Sequence, residues 1–223
     1  MKTAIIVPVY NEGLRGIETI KKVLRKHKGE IVVVNDGSLD NSLKLIKHGF
    51  KKINRVTVLN HVINLGKGAA MKTGAEFAFN NGVEAVLFLD ADGQHNPKYI
   101  SKFKRYLKEY PMVFGYRVMN KKMPFIRKWG NIMAANLIKA LFGIKKKDLL
   151  SGYLGFRKEV YEQIKWGSAR YGIETEMATR VGKNIIPFKE IKIDTIYIDK
   201  YKGVTILDAL KILVQIPFWY FSK

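Results

Sequence analysis

The chain has 223 residues, with 40 Lys and Arg against 19 Asp and Glu, a formal net charge of +21 at pH 7, and 47% hydrophobic residues. That apolar fraction, with no low-complexity block, excludes a disordered or collagen-like chain, and the absence of cysteine excludes disulfide scaffolds, Cys-based zinc sites and thiol nucleophiles. The length suits one domain with at most an appendage, and the excess positive charge points to polyanionic partners: nucleic acid, an anionic lipid surface or phosphorylated substrates.

The first apolar run, Ala4 to Val9, is interrupted by Pro8 and followed at once by polar residues, so no secretory signal is read there and a cytoplasmic protein is expected. Thr3 to Val9 predicts a strand, Tyr10 to Gly13 a loop, and the amphipathic pattern beyond it a helix to about His27. A strand at Glu30 to Val34 leads through a polar loop, Asn35 to Asn41, into a helix ending near His48, and a third strand covers Arg55 to Asn60. After the Gly66 to Gly68 loop a helix is expected from about Ala69 to Asn80. The strand Ala85 to Leu89 then runs into Asp90, Ala91, Asp92 and Gly93. This alternation of strand and helix predicts a mostly parallel α/β sheet. Ligands of open α/β sheets bind beyond the carboxyl ends of the strands, so the loops at Tyr10, Asp36 and Asp90 should converge.

The second half is less regular. It predicts a helix at about Pro97 to Glu109, a short strand at Met112 to Gly115, a basic amphipathic stretch from Asn120 to Lys147, the segment Ser151 to Phe156, and a helix near Lys158 to Ile164. Trp129, Ile132, Met133, Leu137, Leu141 and Phe142 lie among lysines, as in a helix at a membrane interface or a core helix with a solvated basic face. From Val204 to Lys223 the charges Asp208 and Lys211 precede Pro217 and the cluster Phe218-Trp219-Tyr220-Phe221. This segment is too short and interrupted to read as a span; its aromatics favour a helix lying on a membrane surface, with a core helix as the alternative.

Asp90 and Asp92, two residues apart at a strand end, can turn toward one hard cation, with Gln94 as a third oxygen donor. Mg²⁺ or Mn²⁺ shared with substrate phosphates suits such a set, and an Asp-Gly turn with a helix cap is the plainer reading. Asp36 follows an apolar strand, where a carboxylate can accept from a base or ribose while Ser38 or Asp40 caps the next helix. Pro8, Tyr10 and Glu12 form a first strand end suited to a base. Gly66-Lys67-Gly68 lacks the spacing of a Walker A loop, and no G-x-G-x-x-G opens the first helix, so NTPase and dinucleotide readings drop. His27, His48, His61 and His95 lack zinc-ligand spacing, and Ser151-Gly152 lacks a nucleophile elbow. No helix-turn-helix, RNA-recognition or zinc-finger pattern supports a nucleic-acid-binding module.

IIVPVYNE at Ile5 to Glu12, VVVNDGSLDNS at Val32 to Ser42, NLGKGAAMKTG at Asn64 to Gly74 and FLDADGQHNP at Phe88 to Pro97, in this order and spacing, resemble family 2 glycosyltransferases with the GT-A fold. GYR at Gly115 to Arg117, DLLSGY at Asp148 to Tyr153 and YGIETEM at Tyr171 to Met177 bring the dolichyl- and polyprenyl-phosphate hexose synthases nearest, over about residues 3 to 203. The resemblance implies a GT-A domain at 1–203, and the aromatic-rich stretch beyond it is expected to be a membrane-associating segment at 204–223. It implies nucleotide-sugar contacts at Pro8, Tyr10, Glu12, Val34, Asp36, Asp90, Ala91, Asp92, Arg117 and Lys200, and a Mg²⁺ or Mn²⁺ site at Asp90, Asp92 and Gln94. Asp92 and Arg117 would be catalytic, and Arg127, Lys202 and Ser151 would face the acceptor phosphate. An inverting transfer of a hexose to dolichyl or polyprenyl phosphate follows, with GDP-mannose ahead of a UDP-sugar as donor. The protein is expected to be peripheral on the cytoplasmic face of an anionic membrane, with a separate membrane subunit as a possible partner and no nucleic acid. Asn35 stands where the family usually has Asp, Leu154 where it has Arg, and Thr205-Ile206 where it has Ser-Lys. A hydroxyl acceptor is the alternative, and it requires a base such as Glu174 or Asp148. Glu174 and Glu176 otherwise read as the charged first turn of a helix.

Overall fold

One seven-stranded sheet organises the chain in a computed structural model that describes residues 1–117, 135–169, 172–194, 214–216 and 218–220. Strands β1 (Thr3–Val9), β2 (Ile31–Asp36), β3 (Val56–His61) and β4 (Ala85–Phe88) alternate with helices α1 (Gly13–Lys26), α2 (Ser42–Phe50) and α3 (Lys67–Asn80). A 3₁₀ turn at Pro97–Tyr99 and α4 (Ile100–Leu107) lead to β5 (Met112–Arg117), and residues 135–142 are helical (α5). β6 (Leu154–Arg157), α6 (Tyr161–Ile164), α7 (Ile173–Lys183) and β7 (Phe188–Ile193) complete the described elements.

The strand order is β3-β2-β1-β4-β6-β5-β7. β1 to β4 are mutually parallel, β5 pairs parallel with β7, and β6 runs against both of its neighbours. The sheet is apolar on both faces because helices cover both. Ala4, Ile6, Val32, Val34, Val86 and Phe88 face a cluster built with α3 and α7, while Ile5, Val7, Ile31, Val33 and Leu87 face α1, α2 and α4. Pro8 lies past the last β1–β4 pair, Ile6 with Phe88, where a residue without an N–H interrupts no ladder to β4.

Three differences from the expected elements have local causes. β2 continues through Asn35 and Asp36 instead of ending at Val34, because both polar side chains bond sideways to neighbouring elements. α3 begins at Lys67, two residues before the expected start. β7, whose FKEIKI sequence is half charged, lies at the sheet margin with Ile191 and Ile193 turned inward.

In the C-terminal segment, residues 214–216 and 218–220 are helical. Ile216 and Trp219 join the core cluster of α3 and α7, and the Tyr220 ring meets Phe142 edge-on at 5.8 Å. Val214 and Phe218 point outward, 77% and 81% exposed. The described residues of this segment thus have an inner side packed on the domain as well as an outer apolar one. Most of the expected 120–147 stretch up to residue 134, including Trp129, lies outside the described residues, as do Tyr171, Arg127, Lys200 and Lys202. Among the described residues no helix is long and apolar enough to cross a membrane.

Arg55 closes the C-terminus of α1 by donating to the carbonyls of His27 and Leu24. His27 is buried, and its Nε2 donates to the Thr3 carbonyl at 3.1 Å. Burial, with the nearby charge of Lys104, lowers the imidazole pKa to about 4. The unfolded chain therefore takes up this proton first, so the fold loses stability as pH falls from about 6.5 toward 4, by at most about 3 kcal/mol. Urea unfolding of wild type and His27→Gln at pH 7 and pH 4.5 should show a larger acid-dependent loss in wild type; equal losses would remove His27 from the acid response.

Candidate active site

The antiparallel course of β6 sets the geometry of the site. The carboxyl ends of β1, β2, β4 and β5 lie on one edge of the sheet, and β6 starts from that same edge, so Ser151–Tyr153 enter between the ends of β4 and β5. The N-termini of α3 and α7 reach the same place: Lys67 and Glu174 meet at 3.0 Å.

Asp90 leaves β4 in a turn that is fixed from behind. Its N–H donates to His95 Nδ1 at 3.1 Å, which puts the imidazole proton on Nε2. The His95 ring stacks on Tyr153 at 4.9 Å, and Tyr153 stacks on Phe103 at 4.5 Å. Burial lowers the His95 pKa against the pull of Asp90, so the ring is neutral. Asp92 is held within the turn: Oδ1 accepts from the Gln94 N–H at 2.9 Å and Oδ2 from the Gln94 side-chain amide at 3.0 Å. The amide donates through nitrogen, leaving its oxygen as the donor atom for a cation.

Lys67 is the hub. Its ammonium lies 2.8 Å from Asp90 Oδ1 and 3.0 Å from both Asp90 Oδ2 and Glu174 Oε1; of the two Asp90 oxygens only Oδ2 has hydrogen-bonding geometry. Burial alone would discharge both Asp90 and Lys67. The attraction between them outweighs it, lowering the carboxyl pKa and raising the ammonium pKa. Gly152 is pressed against this group, where a Cβ would come within 2.6 Å of Lys67 Nζ and 3.2 Å of Asp90 Oδ2. Beside it, Arg117 at the end of β5 makes a two-pronged pair with Asp148, Nε to Oδ2 at 2.7 Å and Nη2 to Oδ1 at 3.0 Å. Burial would raise the Asp148 carboxyl, and Arg117 more than offsets it.

The other expected residues fall into two groups. Tyr10, half-exposed, and Glu12, at the start of α1, stand at the end of β1. The loops after β1 and β2 are tied together, with the Glu12 and Gly13 N–H groups donating to Ser42 Oγ and the Leu39 N–H to Asn11 Oδ1. Asp36, by contrast, is turned inward: its carboxylate accepts from the N–H groups of Leu65 and Gly66, at 3.0 and 2.8 Å, and pairs with His61 at 2.8 Å. It anchors the entry to α3. The Val34 side chain is in the core, Ala91 is buried with its carbonyl accepting from Thr19, and Ser151 is buried with an unbonded hydroxyl. Sequence reasoning set aside Lys67 and His95, because neither matches a local motif test. A lysine at the first position of a helix that faces a carboxylate turn is the signal that marks Lys67.

The donor set suits a hard divalent cation. Among the described residues no third His, Cys, Asp or Glu joins Asp90 and Asp92. Two carboxylates and an amide oxygen fit an ion that completes its shell from phosphate and water. In that arrangement Asp90, Asp92 and Gln94 would hold the ion, which would neutralise a diphosphate.

A family model described as glycosyl transferase family 2 matches residues 4–165. The chain is 30% identical over 222 residues to an uncharacterised protein of Methanocaldococcus jannaschii, covering 95% of this chain and 89% of that one. It is 30% identical over 239 residues to a UDP-N-acetylglucosamine–dolichyl-phosphate N-acetylglucosaminyltransferase of Methanococcus voltae, covering 95% of this chain and 93% of that protein. An undecaprenyl-phosphate mannosyltransferase of Micrococcus luteus is 25% identical over 201 residues, 83% of this chain and 81% of that protein. In fold, the chain matches a mannosyltransferase of Pyrobaculum calidifontis solved with GDP-Man and Mn²⁺, at a TM-score of 0.64 and 16% identity, over 99% of this chain and 70% of that one.

Removing the hub leaves two carboxylates facing each other. Lys67→Met should lower unfolding stability by about 2 kcal/mol, less than the 3–5 kcal/mol of a fully buried pair because the Lys67 side chain keeps 32% exposure. Denaturant titration measures this; an unchanged midpoint would mean that the ammonium does not bind the three elements together.

Proposed function

The chain belongs to glycosyl transferase family 2, and from that premise we propose that it transfers a sugar from a nucleotide sugar to a polyprenyl or dolichyl phosphate, with inversion at the anomeric carbon. The observation that carries this reading is the pairing of two unlike corners at one edge of the sheet: a carboxylate turn at Asp90–Asp92 and, beside it, an Arg117 guanidinium oriented by Asp148. The acceptors in the names of the relatives from Methanococcus voltae and Micrococcus luteus support the lipid phosphate. GDP-mannose is the first donor, in line with the motifs. UDP-N-acetylglucosamine is the second, favoured by the Methanococcus voltae relative.

An oxygen of the acceptor phosphate attacks the anomeric carbon as the bond to the donor diphosphate breaks. A phosphate monoester has a second pKa of about 6 and is already ionised at neutral pH, so no protein base has to remove a proton. The site agrees with this economy: Asp148 and Glu174, the bases a hydroxyl acceptor would call on, are engaged by Arg117 and Lys67. A divalent Mg²⁺ or Mn²⁺ at Asp90, Asp92 and Gln94 would neutralise the leaving diphosphate. Arg117 screens the approaching acceptor, and the neutral His95 and its aromatic stack keep the carboxylate turn in place.

The same acceptor calls for a membrane surface. The charge of +21, with Val214 and Phe218 exposed beside the buried Trp219, suits peripheral docking on the anionic cytoplasmic leaflet, at about 1 kcal/mol per basic residue near it. A separate membrane subunit is compatible with this reading.

Incubation with farnesyl phosphate and labelled GDP-mannose, UDP-N-acetylglucosamine or UDP-glucose, with and without Mn²⁺, should yield a prenyl-phosphate sugar from one donor. Transfer to alcohols alone would sink the reading. Asp92→Asn should cut turnover at least about a hundredfold and weaken Mn²⁺-dependent donor binding at an unchanged melting temperature. Phe218→Asp should reduce cosedimentation with phosphatidylglycerol vesicles while donor binding persists; undiminished cosedimentation would exclude that face as the contact.

A further inference from the structure

Lys146 is 4% exposed, its ammonium lies 3.6 Å from the centroid of the Phe114 ring, and it makes no hydrogen bond. The carboxylates that surround it are committed elsewhere. Asp148 accepts from Arg117 and from the Leu150 N–H, Glu174 holds Lys67, and Glu190 accepts from the Lys147 N–H. Arg117 also faces Lys146, and repels it. Lys67, another cation of this interior, is met by two carboxylates, whereas Lys146 has an aromatic face and three unused donors.

A buried ammonium with no hydrogen-bond acceptor is costly, and a methionine would fill the space over Phe114 without that cost. Burial lowers the Lys146 pKa to about 8, against the pull of Asp148, so the group is still mostly protonated at neutral pH. What it lacks is an anion. The Ser151 hydroxyl, in the same short segment and also buried, is unbonded as well. Both flank Asp148, which orients Arg117.

We propose that Lys146 is an acceptor-binding residue, whose ammonium takes a non-attacking oxygen of the phosphate monoester beside Arg117. The inference rests on the lipid-phosphate reading for the identity of the ligand. The monoester supplies the charge that the interior withholds from Lys146, while the attacking oxygen stays with Arg117. The Phe114 ring holds the ammonium in place until the acceptor arrives.

The test compares wild type with Lys146→Met, a change that keeps the length of the stem over Phe114. The variant should melt at the same temperature as wild type or higher, and bind donor nucleotide equally. Its KM for farnesyl phosphate should rise about tenfold or more, and farnesyl phosphate should no longer raise its melting temperature. Lys146→Arg should recover most of the KM. On wild type, the Lys146 Nζ resonance should shift with farnesyl phosphate and stay put with farnesol. An unchanged KM, an unshifted resonance, or a variant that melts lower or fails to fold overturns the inference, the last because it marks a structural counter-charge. The two readings fail separately: sugar transfer undiminished in the variant removes the Lys146 role alone. Lys146-dependent binding of farnesyl phosphate without sugar transfer removes the functional reading alone.

Discussion

One ammonium, that of Lys67, joins carboxylates from distant parts of the chain, Asp90 after β4 and Glu174 in α7, and the rest of the site is arranged around that contact. Neither carboxylate could stand there alone, since two like charges in a partly buried cleft repel each other and raise the cost of burying either. The bridge also draws the N-terminal ends of two helices to the edge of the sheet. Gly152 completes the arrangement by leaving space where any side chain would touch the ammonium. The interaction ties α3, the turn after β4 and α7 together and keeps Asp90 ionised.

Around this hub carboxylates and cations lie side by side, an arrangement that suits the proposed reaction between two anions. Asp90, Asp92 and the Gln94 amide oxygen lie in the turn after β4, while Arg117 and Lys146 lie near Asp148. Each cation in the interior has a different degree of satisfaction: Lys67 is met twice, Arg117 is met by a two-pronged carboxylate, and Lys146 has only a ring. A fold stabilised for its own sake would favour uniform neutralisation, and a graded one suits a pocket that receives charge from its ligands.

The first half of the fold was legible because its information is local. Apolar runs bounded by Pro, Gly and Asn mark β1, β3 and β4, and the paired Asp90 and Asp92 follow the last of these directly. What escaped is long-range. Asn35 and Asp36 read as loop because they are polar, and they belong to a strand because Asn60, His61 and Gly66 take up their side chains. Asp36 consequently faces inward, a direction no spacing rule contains. Lys67 failed a phosphate-loop test that asks how a backbone curls, whereas its part is to reach across to other elements. The bond between Arg117 and Asp148 spans a stretch of chain in which periodicity carries no pairing information, although both residues lie in recognisable motifs.

The reversed strand β6 also bears on how the chain emerges during synthesis. β4 pairs with β1 on one side and with β6 on the other, and its partner residue for Phe88 is Leu154. Until the ribosome has delivered that later strand, the nascent sheet presents β4 as a bare, fully apolar margin with unmet amide groups. β2 and β3 can add in turn to neighbouring strands and β4 then joins beside β1, but closing the far margin of β4 waits for a return from far downstream. During this interval the apolar β4 edge is open to pairing with another chain, and the arrival of β6 closes it.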